Sequence, residues 1–157
     1  MKKLMLLAGL YCLQPNLHAA TYRSPVRYEN SPVSAADRAR ANFKETYAWV
    51  KDASWFDASD NSMYCIFHQG SMVNRIFYDR NGNWQYTLIS YPGSVLSKTI
   101  QDKVLDNFAG FRISYVNEVR SDGQETVYMI NLEDDSHIKV VQVTGDDILV
   151  KQALTKG

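Results

Sequence analysis

Short runs in which apolar and polar residues alternate, separated by gaps of only a few residues, restrict the fold of this chain more than any other feature. Residues that alternate with period two predict β-strands, and such short gaps make successive strands antiparallel neighbours. The dipeptide Asn81-Gly82 between two runs is a strong hairpin signal, because both positions tolerate positive φ. Eight strands are predicted, at residues 49–56, 62–69, 72–79, 84–89, 111–120, 126–133, 137–143 and 148–152.

Two segments of helical periodicity precede the two groups of four strands. Ser34 is a predicted N-cap for a helix that runs to about Tyr47, and Asp37 lies in its first turn, where a carboxylate favours the helix dipole. A second helix is predicted over 94–107, after Pro92 interrupts the strand pattern. The first helix carries an apolar stripe that can pack on a sheet, formed by Ala36, Ala39, Phe43 and Tyr47.

The order helix, four strands, helix, four strands suggests an internal repeat. The halves also match at an offset of 64 residues. That offset pairs Ser62 with Thr126, Tyr64 with Tyr128, Ile66 with Ile130, Arg75 with Lys139 and Ile76 with Val140. We therefore predict an α+β fold in which two helix-plus-four-strand repeats form one antiparallel sheet, with both helices on one face.

The N-terminus has the pattern of a cleavable secretory signal peptide over residues 1–20. Lys2 and Lys3 precede an uncharged apolar decamer, and small residues lie near a cut at Ala20. The apolar run is shorter than the roughly 20 residues that a transmembrane helix needs; a buried N-terminal helix is the alternative. Tyr11 before Cys12 disfavours lipid attachment. We predict a flexible leader over 21–34, a domain over 35–157, and a periplasmic or secreted location.

The charge balance after cleavage argues against two classes of partner. Loss of Lys2 and Lys3 leaves 15 basic and 17 acidic residues, a formal charge of −2. Nucleic acids and anionic membrane surfaces both require a clustered cationic surface. Cys65 is the one cysteine that remains, so an intramolecular disulfide is impossible and the core alone must hold the domain.

Several motifs between Phe43 and Gln152 resemble a known family. They include the aromatic pair Tyr47 and Trp49, and a helix with Val95, Ile100 and Phe108. They also include the hairpin FYDRNGNW at 77–84, and the segments FAGFRI at 108–113 and YMINL at 128–132. The chain resembles the PepSY-like, beta-lactamase-inhibitor-like domain of small exported bacterial proteins. That resemblance implies a fold similar to a protein that inhibits an enzyme by docking on it with its sheet.

Possible catalytic or metal-binding groups do not assemble into a site on the sequence. Cys65 and His68 are three residues apart on a predicted strand, so their side chains should point to opposite faces. His137 near Asp134 and Asp135 lacks a second imidazole. Asp79, Asn81 and Asn83 alternate like a calcium loop, but glycine and glutamate do not stand where that loop needs them. We predict no enzyme, no cofactor and no metal.

An excess of aromatic residues on the first four strands is the most informative functional feature. Helices can cover only one sheet face, yet the strand at 62–69 is apolar on both. We predict a non-catalytic module that binds a protein or peptide of the cell envelope. Inhibition or regulation of that partner is one role that such binding could have. The predicted partner-binding residues are Tyr64, Phe67, Tyr78, Trp84 and Tyr86. The alternatives are a small-ligand or cofactor carrier with a pocket between sheet and leader, an enzyme, and a structural role.

Overall fold

The computed structural model describes residues 33–157, and these residues form two α-helices, a short 3₁₀ helix and eight strands. The predicted signal peptide and residues 21–32 of the predicted leader lie outside the described residues. Helix α1 spans Ala35–Thr46 and is followed by β1 (Ser54–Asp57), β2 (Met63–Gln69), β3 (Met72–Tyr78) and β4 (Trp84–Pro92). A 3₁₀ turn at Gly93–Val95 leads into α2 (Lys98–Asn107), and then come β5 (Arg112–Ser121), β6 (Val127–Glu133), β7 (His137–Thr144) and β8 (Asp147–Thr155).

The strands form a single antiparallel sheet in the order β1 to β8, each paired with its neighbours in sequence. This meander confirms the α+β class and the antiparallel sheet predicted from the short gaps. The position of α1 agrees with the sequence prediction, and Ser34 is its N-cap, where its hydroxyl accepts the backbone N–H of Asp37 at 3.1 Å. Neither helix among residues 33–157 has the length and apolar character needed to cross a membrane.

Both helices pack on the same face of the sheet, which we call the covered face. The core under α1 contains Phe43 together with Met63, Cys65 and Phe67 of β2. The core under α2 contains Val104 and reaches across the strands of the second half. The strand register shows that the two cores lie on the same face. Cys65 pairs with Ile76 and Ile76 with Thr87, and alternate residues of β4 to β7 continue on the covered face. Directly paired residues share a face of the pleated sheet.

A close contact joins α1 to the turn between β3 and β4. The Arg38 guanidinium donates from Nε to the Asn81 carbonyl oxygen at 2.6 Å. Gly82 has φ +82°, and a Cβ there would lie 2.1 Å from the carbonyl oxygen of Ala35. The hairpin glycine predicted for its backbone freedom is therefore also the residue that lets the helix start against the turn.

The predicted start of the first strand, end of the fourth strand and start of the second helix differ from the structure. The first strand begins at Ser54 rather than residue 49, because Val50 donates its N–H to the Tyr47 carbonyl in a turn that follows α1. Strand β4 continues to Pro92, which pairs with Tyr115. The second helix starts at Lys98, after a 3₁₀ turn and an extended Leu96, and not at 94.

The sequence match at an offset of 64 residues does not correspond to equivalent positions in the sheet. Ile66 pairs with Arg75 on the uncovered face, whereas Ile130 is fully buried on the covered face. Tyr64 and Tyr128 lie on opposite faces in the same way. A one-residue slip in a strand exchanges its two faces, so that residue alignment is wrong. A duplication behind the repeated order of elements stays a prediction.

Candidate functional site

Four aromatic rings form a continuous row across β1 to β4 on the face that neither helix of residues 33–157 covers. Phe56 stacks on Tyr64 with centroids 5.1 Å apart, Tyr64 on Phe77 at 5.4 Å, and Phe77 on Tyr86 at 4.4 Å. Interplanar angles of 17°, 25° and 18° make the rings nearly parallel. Phe56 is 42% exposed and Tyr86 37%, while the two central rings are half-buried. We call these four residues the aromatic row and this side of the sheet the open face.

Strand register explains why the rings line up. Phe56, Tyr64, Phe77 and Tyr86 are directly paired in succession. Adjacent strands lie about 4.8 Å apart, close to the spacing at which aromatic rings stack in an offset arrangement. A row of mutually supported rings loses little side-chain freedom when a partner covers it.

The five residues predicted to bind a partner divide between the two faces. Tyr64 and Tyr86 lie in the aromatic row. Phe67 and Tyr78 are 2% and 1% exposed beneath α1, so the prediction that they belong to an exposed surface is wrong. Burial also raises the pKa of Tyr78. Trp84 packs half-buried against the α1 core, and its Nε1–H donates to the Thr87 hydroxyl at 3.1 Å, so it too belongs to the covered side.

A β-bulge moves Trp84 away from the side predicted for it. Simple alternation would place Trp84 and Tyr86 on one face, but Phe77 pairs with Tyr86 while Tyr78 pairs with Trp84. Gln85 is thus an extra residue, and such a residue inverts the alternation on one side of it. Phe56 and Phe77 are the row members that the predicted site omitted, although the opposite placement of Phe77 and Tyr78 is confirmed.

A groove of about 460 Å³ lies next to the aromatic row, beside the β3–β4 turn. Phe77 and Tyr86 line it together with Asp60, Asp79 and Arg80. The Asp79 carboxylate accepts the backbone N–H groups of Asn81 and Asn83, each at 2.8 Å. Its hydrogen bond from the Asn83 N–H is the main reason that its pKa is lowered. This carboxylate therefore holds a hairpin turn.

A polar triad lies on the covered face, with Tyr91 and Glu118 buried and Arg120 exposed. The Tyr91 hydroxyl donates to Glu118 Oε2 at 2.6 Å, and Arg120 Nε lies 2.5 Å from Glu118 Oε1. Burial, reinforced by the Glu118 carboxylate, raises the pKa of Tyr91. Cavities of about 320 and 260 Å³ open on either side of Arg120, the first beside Tyr47 and the second beside Tyr91.

The nucleophile and base considered on the sequence are separated by the sheet. Cys65 is fully buried in the α1 core, where burial raises the pKa of its thiol to about 12. His68 is exposed at the end of β2 and lies on the open face, since it pairs with Val73. The thiol is thus protonated at neutral pH and faces away from the imidazole, as the alternation predicted.

The acidic turn before β7 is organised by its own backbone. Asp134 accepts the N–H groups of Ser136 and His137 at 2.8 and 2.6 Å, and the hydrogen bond from Ser136 is the largest cause of its lowered pKa. His137 Nδ1 is 3.3 Å from Asp134 Oδ1 at the surface. Among residues 33–157 no three histidine, cysteine or acidic side chains are close enough together to hold a metal ion.

Comparison with known proteins shows that the fold of this chain is similar to that of several solved structures. No family model and no curated protein matches the chain. Several crystal structures do, one of them a BLIP-like protein from Bacteroides fragilis, with 13% identity and a TM-score of 0.61 over 76% of this chain and 86% of that one. A DUF2874 family protein from Bacteroides ovatus matches with 14% identity and a TM-score of 0.59, over 75% and 85% of the two chains.

A third match comes from another Bacteroides species. It is a predicted periplasmic protein from Bacteroides eggerthii, with 10% identity, a TM-score of 0.59 and coverage of 76% and 87%. The BLIP-like match agrees with the inhibitor-like part of the resemblance noted in the sequence, whereas the PepSY-like part stays a prediction. The chain shares its fold with this group of small Bacteroides proteins.

Proposed function

We propose that this chain is an exported, non-catalytic binding module that docks on a protein or peptide of the cell envelope through the aromatic row. The observation that carries the proposal is the unbroken stack of four rings on the open face. Antiparallel sheets that are covered on one side normally turn polar residues to the other. An exposed apolar row therefore favours a surface that is buried by association.

The chemistry of the row suits protein recognition. Aromatic side chains bury a large area with few rotatable bonds and dominate the energetically important positions of interfaces. The two tyrosines, Tyr64 and Tyr86, add hydroxyl groups that can hydrogen-bond a partner. A module of this kind acts by occupying the surface of its partner, and inhibition or regulation of that partner is the role we propose for it.

Export is the second part of the proposal. The pattern of residues 1–20 supports a signal peptide cut near Ala20, a leader over 21–34 and a domain over 35–157. The predicted periplasmic protein that shares the fold supports a periplasmic or secreted location. Mass spectrometry of the protein recovered from the envelope fraction tests this part. A mature N-terminus near Thr21 is expected, and an intact Met1 would contradict it.

A small-ligand carrier is the second candidate function, favoured by the cavities beside Arg120. They lie on the covered face, whereas a pocket between sheet and leader would involve residues outside 33–157. A thermal-shift screen of metabolites distinguishes the two functions. A carrier would show stabilisation by one class of compound, lost when Tyr47 or Tyr91 is substituted and unaffected by Phe77→Ala.

Site-specific photocrosslinking in the host envelope tests docking directly. A benzophenone amino acid replaces Tyr86 in the aromatic row or, as the matched control, Tyr115, which is 38% exposed on the same face. The two positions are about 20 Å apart along the sheet, because Tyr86 pairs with Ser121. One defined protein adduct from position 86 that is absent from position 115 is expected. Equal adducts from both positions would contradict the proposal.

A further inference from the structure

A single arginine lies within the apolar centre of the open face. Arg75 on β3 is directly paired with Ile66 of β2 and Leu88 of β4. It is half-buried and precedes Phe77 by two residues, so both side chains point to the same face of the sheet. A cation held among apolar side chains loses hydration, a loss that a carboxylate partner or a network of hydrogen bonds can offset.

The described residues offer Arg75 little compensation. Its Nη1 lies 3.3 Å from the Ser90 hydroxyl, which in turn donates to Asn117 Oδ1 at 2.7 Å. Of the carboxylates in residues 33–157, none lies within 4 Å of its guanidinium. By contrast Arg112, also on the open side, is paired with Glu133 at 2.9 Å.

The distribution of acidic residues strengthens this contrast. Glu118 of β5 points to the covered face, where it binds Tyr91. Asp60 and Asp79 stand in the loops that line the groove, together with Arg80. Asp79 follows Arg75 by four residues, a separation of about 13 Å along a strand. Arg75 and the two aspartates therefore lie on opposite sides of the aromatic row.

We propose that the protein partner presents an aspartate or glutamate carboxylate, flanked by apolar side chains, to Arg75. The inference rests on the docking function proposed above and specifies the chemistry of its partner. The planar guanidinium forms strong charge-assisted hydrogen bonds with a carboxylate. Its position beside the aromatic row places the acidic group of the partner next to the apolar contact.

Selection from a displayed peptide library tests this inference without a known partner. Random peptides of about 12 residues are selected on the immobilised full chain, on Arg75→Gln and on Arg75→Glu. The matched control is Arg112→Gln, which removes an arginine that already has a carboxylate. Circular dichroism establishes that each variant is folded before selection.

The expected outcome is a charge signature in the selected pools. Peptides from the native chain and from Arg112→Gln should be enriched about threefold or more in aspartate and glutamate beside apolar residues. That enrichment should vanish on Arg75→Gln and change to lysine and arginine on Arg75→Glu. In the tightest peptide, replacing the acidic residue by its amide should weaken binding to the native chain about tenfold and to Arg75→Gln less than about twofold.

Three results would overturn the inference. Peptides that lose binding to Phe77→Ala yet show no acidic enrichment would refute the role of Arg75 and leave the docking face standing. Peptides indifferent to Phe77→Ala would refute the docking face itself. Sedimentation that reveals a dimer of this chain, dissociated by Phe77→Ala, would make a second copy the occupant.

Discussion

The ring of Phe77 stacks on the ring of Tyr86 with centroids 4.4 Å apart and planes inclined by 18°, on the face opposite both helices. The neighbouring Tyr78 points to the other side and is buried under α1. Two consecutive residues of the strand thus differ in role: Tyr78 stabilises the domain, and Phe77 is available to a partner. This separation allows stability and binding to be tested by different substitutions.

Truncation of adjacent residues on β3 should affect stability unequally. Ile76 is fully buried in the α1 core, and Ile76→Ala should lower the free energy of unfolding by about 3 kcal/mol through lost packing and a cavity. Phe77 is half-buried, and Phe77→Ala should cost about 1.5 kcal/mol from its ring contacts. Urea denaturation measures both values, and an equal or larger cost for Phe77→Ala would place that ring in the core.

A methyl group at Gly82 should be far more disruptive than one at Gly110. Both glycines have positive φ, at +82° and +84°, so alanine strains the backbone of each by about 1 kcal/mol. Only Gly82 faces the start of α1, where the new Cβ would overlap the Ala35 carbonyl, whereas Gly110 faces open space. We expect a total loss of about 3 kcal/mol for Gly82→Ala. Thermal or urea unfolding of the two variants tests this, and similar losses would argue against the close contact.

The two buried members of the polar triad, Tyr91 and Glu118, should be energetically coupled. Tyr91→Phe removes a 2.6 Å hydrogen bond to a carboxylate and should cost about 2 kcal/mol. Tyr128→Phe is the control, because no residue of 33–157 hydrogen-bonds its hydroxyl, and it should cost less than about 0.5 kcal/mol. In a double-mutant cycle with Glu118→Gln, the coupling energy should exceed about 1 kcal/mol. If the stability losses of the two single variants simply add in the double variant, the interaction between Tyr91 and Glu118 contributes nothing to stability.

Cys65 should make the domain sensitive to alkaline pH. Burial raises the pKa of its thiol from 9.0 to about 12, so the contribution of the protonated thiol is complete below pH 9 and is lost as pH rises toward 12. Between about pH 8 and pH 10.5 the native chain should lose about 2 kcal/mol more than Cys65→Ala. Denaturation at both pH values measures the difference, and parallel losses would show that the thiol titrates normally.

The sequence predicted the strands well, because the alternation reflects a sheet with only one covered side. It could not say which side, since β2 is apolar on both, with Tyr64 and Ile66 on one and Cys65 on the other. Arg75 held the missing signal. An arginine is rarely buried in a core, and its register with Ile66 places Tyr64 on the open face.

Other errors arose from backbone irregularities that side-chain patterns do not reveal. The bulge at Gln85 turned Trp84 to the covered face. The turn after α1 delayed the start of the first strand from residue 49 to Ser54. Both features depend on local backbone hydrogen bonds, and neither leaves a periodic trace in the residues.

The affinity of the crosslinked partner for three forms of the chain tests the central claim most directly. Calorimetry would compare the native chain with Phe77→Ala and with Tyr115→Ala, an equally aromatic change on the same face outside the row. We expect Phe77→Ala to weaken binding by about tenfold or more and Tyr115→Ala by less than about threefold. Unchanged affinity for a folded Phe77→Ala, or a larger loss with Tyr115→Ala, would show that the aromatic row is not the docking surface.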